Sequence, residues 1–399
     1  MELQGSLALG VHTGLAASRL VIDGLREPFG MALPRTPEQL ARPAVLDALL
    51  REREPTLPRV AAARLPGVDF ESSNCRNFLV ELDYEGDGEA PRSLYAKLPG
   101  ASLATRLFAG ALGFWALECL FCERVARHVP IRVPRVHGVA RRGSRFVLLL
   151  ENLRALPGAR LFLNRDMAAG TTLERARLCL SAFAELHAGF HGWSTERREA
   201  LLPLAVHPFL PARRRAVTRA LDAAAIGPTQ RAAPDLFGPE LATLSRRALA
   251  RWDALLAFWY REPLTLVHGD SHLANCFEYQ APGGPRVGML DFQAVHWSKG
   301  IRDVQYFLIH SLEPELLAAH EEALIDHYLA ELAGRGVVLD PEEARTEYRA
   351  FSFQTLMVGV VSLGLGGLSE REETVRTVLR REVAAIERLR FGEWLDRLG

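Results

Sequence analysis

The sequence predicts an α+β protein of two lobes, a small β-sheet N-lobe followed by a larger, mainly helical C-lobe. Between residues 64 and 152, short alternating or apolar runs are broken by turn-rich links, the pattern of strands. After Asn152 the apolar residues recur at helical spacing over long segments. Only "LTLVHGD" (264–270) and "RVGMLDF" (286–292) interrupt them with strand character. The expected division is a helical extension over 1–63, a sheet lobe over 64–152 and a helical lobe over 153–399.

In the extension, "TPEQLARPAVLDALLRER" (36–53) offers Thr36 as a cap, Glu38 close behind it and apolar residues at Leu40, Val45, Leu46 and Leu49. That spacing predicts a helix. "NFLVELDY" (77–84) alternates and, across the turn-rich "EGDGEAPR", meets "SLYAKLPG" (93–100) as a hairpin. An amphipathic helix over 114–129 ends before the prolines of "PIRVPRV" (130–136). "RVHGVARRGSRFVLLLENL" (135–153) reads as two strands around an Arg142-Gly143 turn. In the second lobe, helices are expected over 173–193 and 241–260, in "ALIDHYLAEL" and in "EEARTEYRAFSF". "APGG" (281–284) is expected to turn between the two strand-like runs.

The 399 residues carry 48 basic and 48 acidic side chains, so no global charge points to nucleic acid, an anionic membrane or a strongly cationic substrate. The distribution is uneven. The middle third is arginine-rich, densest at Arg213-Arg214-Arg215, and the last hundred residues lean acidic around Glu313, Glu315, Glu321 and Glu322. Both stretches read as solvated helix faces. Five scattered cysteines fit a reduced, cytoplasmic chain without a disulfide frame, and Cys119 and Cys122 read as buried thiols. The N-terminus lacks the basic region of a signal peptide. "FSFQTLMVGVVSLGLGGL" (351–368) sits at the short limit for a membrane span and carries Ser352, Gln354 and Ser362, so a buried helix is expected and no stable membrane insertion.

Of the 48 basic residues only Lys97 and Lys299 are lysines. A chain that uses arginine wherever either would serve should keep lysine where a compact ammonium on a thin stem is required. Lys97, in the second strand of the hairpin, is therefore a candidate for function. Lys299 reads as a surface residue, with contact to phosphate or acceptor as the alternative.

"LTLVHGDSHLANCFEY" (264–279) holds the densest set of chemical groups. A metal cage is one reading, because His268 and His272 are four residues apart with Asp270 between them. Four-residue spacing joins ligands on a helix, but this segment follows a strand and contains glycine. Zinc catalysis also needs a third ligand and a bound water. His187 and His191 lie on another expected helix without a glutamate-containing zinc motif, and read as packing or pocket-wall residues.

The other reading uses Asp291. It ends the apolar strand "VGML" as Asp270 ends "LTLV", and Asn275 adds a carbonyl oxygen five residues after Asp270. Aspartate and asparagine oxygens suit magnesium, which keeps waters and shares itself with phosphate oxygens. Asp270 is then left to accept a proton from an attacking hydroxyl. Phosphoryl transfer asks the protein mainly to place the nucleophile, hold the triphosphate and neutralise charge. Lys97 would hold phosphate, with Glu118 or Glu123 of the intervening helix as its partner.

"HGDSHLAN" with "LDFQ" resembles the catalytic and metal-binding loops of the aminoglycoside phosphotransferase and choline kinase group, relatives of protein kinases. "LDFQ…GIRDVQYFL", "LLLENL" and "VPIRVPRV" resemble its ecdysteroid kinase-like branch most closely. The resemblance covers roughly 64–310 and implies a protein-kinase-like fold, with ATP and Mg2+ as cofactors. It implies Asp270 as catalytic base, His268 as a structural member of the catalytic loop, Asn275 and Asp291 as metal ligands, and Lys97 paired with Glu118 at the phosphates. It further implies Glu151-Asn152-Leu153 as the hinge whose backbone receives the adenine, Asp303 as a brace for the catalytic loop, and Ser72 and Ser73 in the nucleotide-covering hairpin.

Several positions depart from protein kinases. No G-x-G-x-x-G is present, so phosphate contacts from that hairpin fall to Ser72, Ser73 or main-chain amides. His272 stands where protein kinases place a lysine, which argues for a small alcohol as acceptor over a protein. Gln293 replaces the glycine that follows the Asp-Phe pair. The expected function is transfer of the ATP γ-phosphate to a hydroxyl of a small molecule, an apolar one if "FSFQTLMVGVVSLGLGGL" and "LLAFWY" line its pocket. A nucleotide-binding pseudokinase and an antibiotic phosphotransferase are the alternatives. Oligomeric state is not readable from the sequence.

Overall fold

The computed structural model describes residues 2–27, 32–67, 69–71, 75–86, 88–366 and 372–398. The fold is α+β and divides into two compact units, residues 7–128 with 133–159, and residues 1–6 with 129–132 and 160–399.

The first unit is built on an antiparallel sheet. Helices α1 (Glu2–Arg26), α2 (Pro37–Leu40) and α3 (Pro43–Arg53) precede strands β1 (Val60–Arg64), β2 (Asp69–Glu71), β3 (Cys75–Tyr84) and β4 (Ser93–Pro99). Helices α4 (Leu103–Leu112) and α5 (Phe114–Leu120) then lead to β5 (Val136–Arg142) and β6 (Arg145–Glu151). The strand order is β1-β3-β4-β6-β5, with β2 also on β3.

Two helices of this unit differ from expectation. The segment 36–53 is not one helix. Thr36 caps α2 through the Gln39 amide at 3.3 Å, and α3 starts afresh at Pro43. Proline has no N–H to continue the first helix and suits the first turn of the next. The helix expected over 114–129 keeps its regular form only to Leu120, then passes through a π turn (Phe121–Val125) and a 3₁₀ turn (Ala126–His128).

Along β4, Leu94, Ala96 and Leu98 are fully buried in a core with Leu46 and Leu50 of α3, Phe78 and Val80 of β3 and Val147 and Leu149 of β6. Strand side chains alternate between faces, so Lys97 projects to the other side of the sheet, where Glu118 of α5 meets it. All five cysteines are free and buried, and burial pushes the Cys122 thiol well above its ordinary range.

The second unit is mainly helical. β7 (Arg160–Leu161) and α6 (Asn164–Ala169) are followed by α7 (Leu173–Phe190), α8 (Thr195–Leu201), α9 (Ala212–Ala232), α10 (Pro239–Ala250) and α11 (Trp252–Trp259). Strands β8 (Thr265–Val267), β9 (Cys276–Ala281), β10 (Gly284–Met289) and β11 (His296–Ser298) come next, and α12 (Ile301–Ser311), α13 (Pro314–Ala333), α14 (Pro341–Leu365), α15 (Glu372–Arg388) and α16 (Phe391–Arg397) complete the unit. The segment 241–260 breaks at Arg251 into α10 and α11.

The strands pair differently from the simplest sequence reading. β8 pairs with β11, and β10 pairs with β9, so "APGG" turns out of β9 and not out of β8. β11 is three residues long, too short to show a period. α14 packs on α9 and α15, and Phe351, Phe353, Leu356 and Val360 are fully buried there. These side chains are core, which removes them as walls of an acceptor pocket. Among the described residues no helix is long and apolar enough to cross a membrane.

Candidate active site

In the helical unit, the site begins where β8 ends. All three β8 residues are buried, and the chain leaves them through His268 into a sharp turn at Gly269, whose φ is +84°. A Cβ at Gly269 would lie 2.0 Å from the Ala294 carbonyl oxygen, so only glycine lets the backbones pass. The His268 ring is fully buried. Its Nδ1 accepts the Asp270 amide at 3.2 Å, which leaves the proton on Nε2 to be donated to the Leu290 carbonyl at 2.9 Å. Burial holds this imidazole below its ordinary pKa, so it is neutral. His268 thus ties the loop to the residue before Asp291, and both its nitrogens are spent in doing so. It is not a metal ligand here.

Asp303, two residues into α12, secures the same turn. Its carboxylate accepts the amides of His268 at 2.6 Å and Gly269 at 3.0 Å, and its carbonyl accepts the Ser271 hydroxyl at 2.9 Å. His187 at 3.3 Å and Arg302 at 3.2 Å flank it. Burial alone would raise its pKa, but the bond and charge of His187 and the charge of Arg302 hold it far below the usual carboxylate range. His187 is buried and also meets the Tyr328 hydroxyl at 2.9 Å, which makes it part of the support for Asp303.

Asp270 keeps 22% of its side-chain surface exposed. Its Oδ1 accepts the Tyr306 hydroxyl at 2.8 Å, and its Oδ2 accepts the amide nitrogens of Asn275 at 3.2 Å and Gln293 at 3.5 Å. His272 Nε2 lies 3.6 Å from Oδ1. Burial pushes this carboxyl upward, yet the surrounding imidazoles, His272 foremost, together with the Tyr306 bond outweigh it and leave Asp270 below the ordinary value, hence ionised at neutral pH.

Asn275 closes a short 3₁₀ turn, Leu273–Asn275. Its amide nitrogen also donates to the Asp270 carbonyl at 2.8 Å, and its own carbonyl accepts the Leu290 amide at 3.0 Å. The backbone bond sets Asp291 beside Asn275. Asp291 has a φ of +64°, a left-handed conformation shared among the described non-glycine residues only by Arg390. Such backbone costs about 1–2 kcal/mol outside glycine and is best tolerated by Asn and Asp. Because the Asn275 nitrogen faces Asp270, its Oδ1 turns the other way. An amide oxygen and a carboxylate are the donor chemistry of a hard cation such as Mg2+, and the set fits one. Among the described residues no three His, Cys, Asp or Glu side chains gather as a metal cage.

In the sheet unit, Lys97 sits opposite Asn77 on β3 and Leu148 on β6. Its Nζ lies 2.6 Å from Glu118 Oε1, and both residues are buried. Glu123, the other candidate on this segment, is exposed on the π turn. At the end of β6, the Glu151 carboxylate accepts the Arg135 amide at 3.0 Å, Asn152 bonds the Ser93 hydroxyl at 2.9 Å, and Leu153 is buried. Ser72 and Ser73 lie outside the described residues.

Lys299 is not on the surface as expected. It is buried and pairs with Glu347 of α14 at 3.0 Å, because the chain brings it in at the start of α12, against that helix. Tyr306 escaped the sequence reading altogether. It lies one helical turn after Asp303 on α12, so placing "RDVQY" on a helix would have put both side chains on one face.

The chain belongs to the ecdysteroid kinase-like family, whose model matches residues 128–336. That span contains Asp270, Asn275, Asp291 and Asp303 and begins after Lys97 and Glu118. None of the curated proteins compared with the chain matches it. Among solved structures, it is similar to choline kinase from Cryptosporidium parvum Iowa II at 11% identity, over 84% of this chain and 90% of that one, with a TM-score of 0.48. It is similar to ethanolamine kinase from Plasmodium vivax at 10% identity, over 80% and 81%, with a TM-score of 0.45. It is also similar to the GDP complex of aminoglycoside 2′-phosphotransferase-IIIa at 16% identity, over 85% and 98%, with a TM-score of 0.44. Likeness at this level carries no residue role or substrate to this chain.

Proposed function

We propose that this protein transfers the γ-phosphate of ATP, with magnesium, to a hydroxyl of a small organic molecule. Asp270 is the base, accepting the hydroxyl proton as oxygen attacks phosphorus. Asn275 and Asp291 hold the magnesium ion, which neutralises phosphate charge when bound. Lys97, kept extended by Glu118, pairs with phosphate oxygens, and the backbone of Glu151 and Leu153 receives the base. Ser72 and Ser73 are assigned to the phosphates. His268 and Asp303 are positioning residues, since their polar atoms are turned into the loop itself.

The observation that carries this reading is the setting of Asp270. It is ionised and partly exposed, both its oxygens are aligned by donors, and it is joined through Asn275 to the strained backbone of Asp291. A carboxylate kept as a mere turn residue has no need of this support. Family membership supports a kinase-type reaction.

The reading is tested by following ADP release from MgATP across a panel of small alcohols of varied polarity. At least one acceptor should give turnover well above the rate with water, and the turnover should vanish when magnesium is chelated. Tight MgATP binding without transfer to any acceptor would favour the pseudokinase alternative. Absence of nucleotide binding would remove the proposal.

A further inference from the structure

A second polar site lies in the sheet unit, away from Lys97. Helices α1, α4 and α5 and the β5–β6 turn line a partly open cavity of about 40 Å³. That is room for a few waters or for one compact tetrahedral group. Its wall includes Arg19, Arg106, Trp115, Arg141, Ser144 and Arg145.

Two of these residues are more than nine-tenths buried and carry N–H groups without an acceptor among the described residues, the indole Nε1 of Trp115 and the guanidinium Nε of Arg145. Both groups can only donate. A buried donor left unpaired is destabilising, and native proteins normally give such a group a water or a ligand. Arg19, Arg106 and Arg141 add three guanidinium groups to the same wall, and among the described residues none of them forms an ion pair.

Two acids lie in this region. Asp23 accepts the Ser144 amide and hydroxyl through Oδ2, each at 2.6 Å, while its buried Oδ1, packed under Gly143, has no hydrogen-bond partner among the described residues. Glu27 pairs with Arg145 at 2.7 Å. The four guanidinium groups of the wall thus outnumber the two carboxylates beside it. Burial, then the charges of Arg35 and Arg145, hold the Arg106 guanidinium below its ordinary pKa against the opposing pull of Asp23 and Glu27.

We propose that this cavity binds a small oxyanion, a phosphate group either free or at the end of a monoester, between Trp115, Arg106 and Arg145. Several acceptor oxygens on one compact anion match several donors that can only give. Trp115 stands one turn before Glu118 on α5, so the occupant braces the helix that carries the partner of Lys97.

The test is a titration of the full chain with inorganic phosphate, and separately with glycerol phosphate, at constant ionic strength. The readout is the indole N–H resonance of Trp115, assigned from its disappearance in Trp115→Phe. A saturable shift is expected, weakened roughly tenfold or more by Arg106→Gln and unchanged by Arg213→Gln, an exposed arginine on α9. Arg106 is half-buried and forms no ion pair among the described residues, so its variant should keep the unligated unfolding midpoint. Tighter binding of the monoester would identify the ligand as its phosphate end, and equal binding as the free anion. No saturable shift with either probe, or a shift untouched by Arg106→Gln or weakened equally by Arg213→Gln, overturns the proposal.

Discussion

The Tyr306 hydroxyl donates a hydrogen bond to Asp270 Oδ1 at 2.8 Å, from one helical turn beyond the aspartate that holds the loop. Burial, then the Asp270 charge, push the tyrosine pKa well above its ordinary range, so it remains a donor at every working pH. The bond favours the ionised form of Asp270. With a lowered pKa, Asp270 stays charged as pH falls, and activity that needs the carboxylate should persist below the ordinary aspartate range. Tyr306→Phe removes the donor. The acid limb of kcat/KM should move to higher pH, with the basic limb unchanged. An unmoved acid limb would show that Tyr306 does not tune the base.

Gly269 is held by geometry alone. Gly269→Ala would drive a Cβ into the Ala294 carbonyl at a φ that also disfavours it. A loss of roughly 3 kcal/mol or more in unfolding free energy is expected. A denaturation curve like that of the wild type would mean that the turn differs from the one described.

The buried pair Lys97–Glu118 separates stability from chemistry. Lys97→Met strands a carboxylate in the interior and should cost about 3–5 kcal/mol. The double variant Lys97→Met/Glu118→Leu replaces the pair with apolar groups and should recover most of that loss. Phosphate transfer should stay defective in both. Recovery of activity with stability would assign the pair a structural role only.

Asp222 gives the protein a pH signature unrelated to the site. It is buried on α9, and burial raises its pKa from 3.8 to about 8. In that window the folded state binds the proton that the unfolded state has released. Stability should therefore fall as pH rises from about 4 to 8 and level off above, by a few kcal/mol in total. Asp222→Asn should flatten this decline when unfolding is measured at pH 5 and pH 8. An unchanged slope would show that another group causes it.

How much of this was legible in the sequence depends on the range of the interaction. The Lys97 hairpin and the Arg142-Gly143 turn follow from local alternation and glycine, and the strand-ending Asp270 and Asp291 stand out in the chain itself. The break at Pro43 is also local, yet the apolar spacing masked it. Other features are set by distant pairing. β11 has three residues and exists only because β8 lies beside it. The Gly269 turn depends on Ala294, and the state of Asp270 depends on Tyr306, 36 residues away. Lys299 reads as a surface lysine until α14 brings Glu347 to it. Sequence periodicity reports a residue's own element, not the one that packs against it.

The most direct measurement is a single-turnover comparison of wild type and Asp270→Asn with MgATP and an alcohol that the wild type phosphorylates. The side chains are nearly isosteric, so the loop and the Tyr306 contact can survive while the proton acceptor is lost. Asp270 as base predicts a fall in transfer of roughly 10²–10⁴, with MgATP binding by calorimetry unchanged. Transfer at the wild-type rate in Asp270→Asn would contradict it.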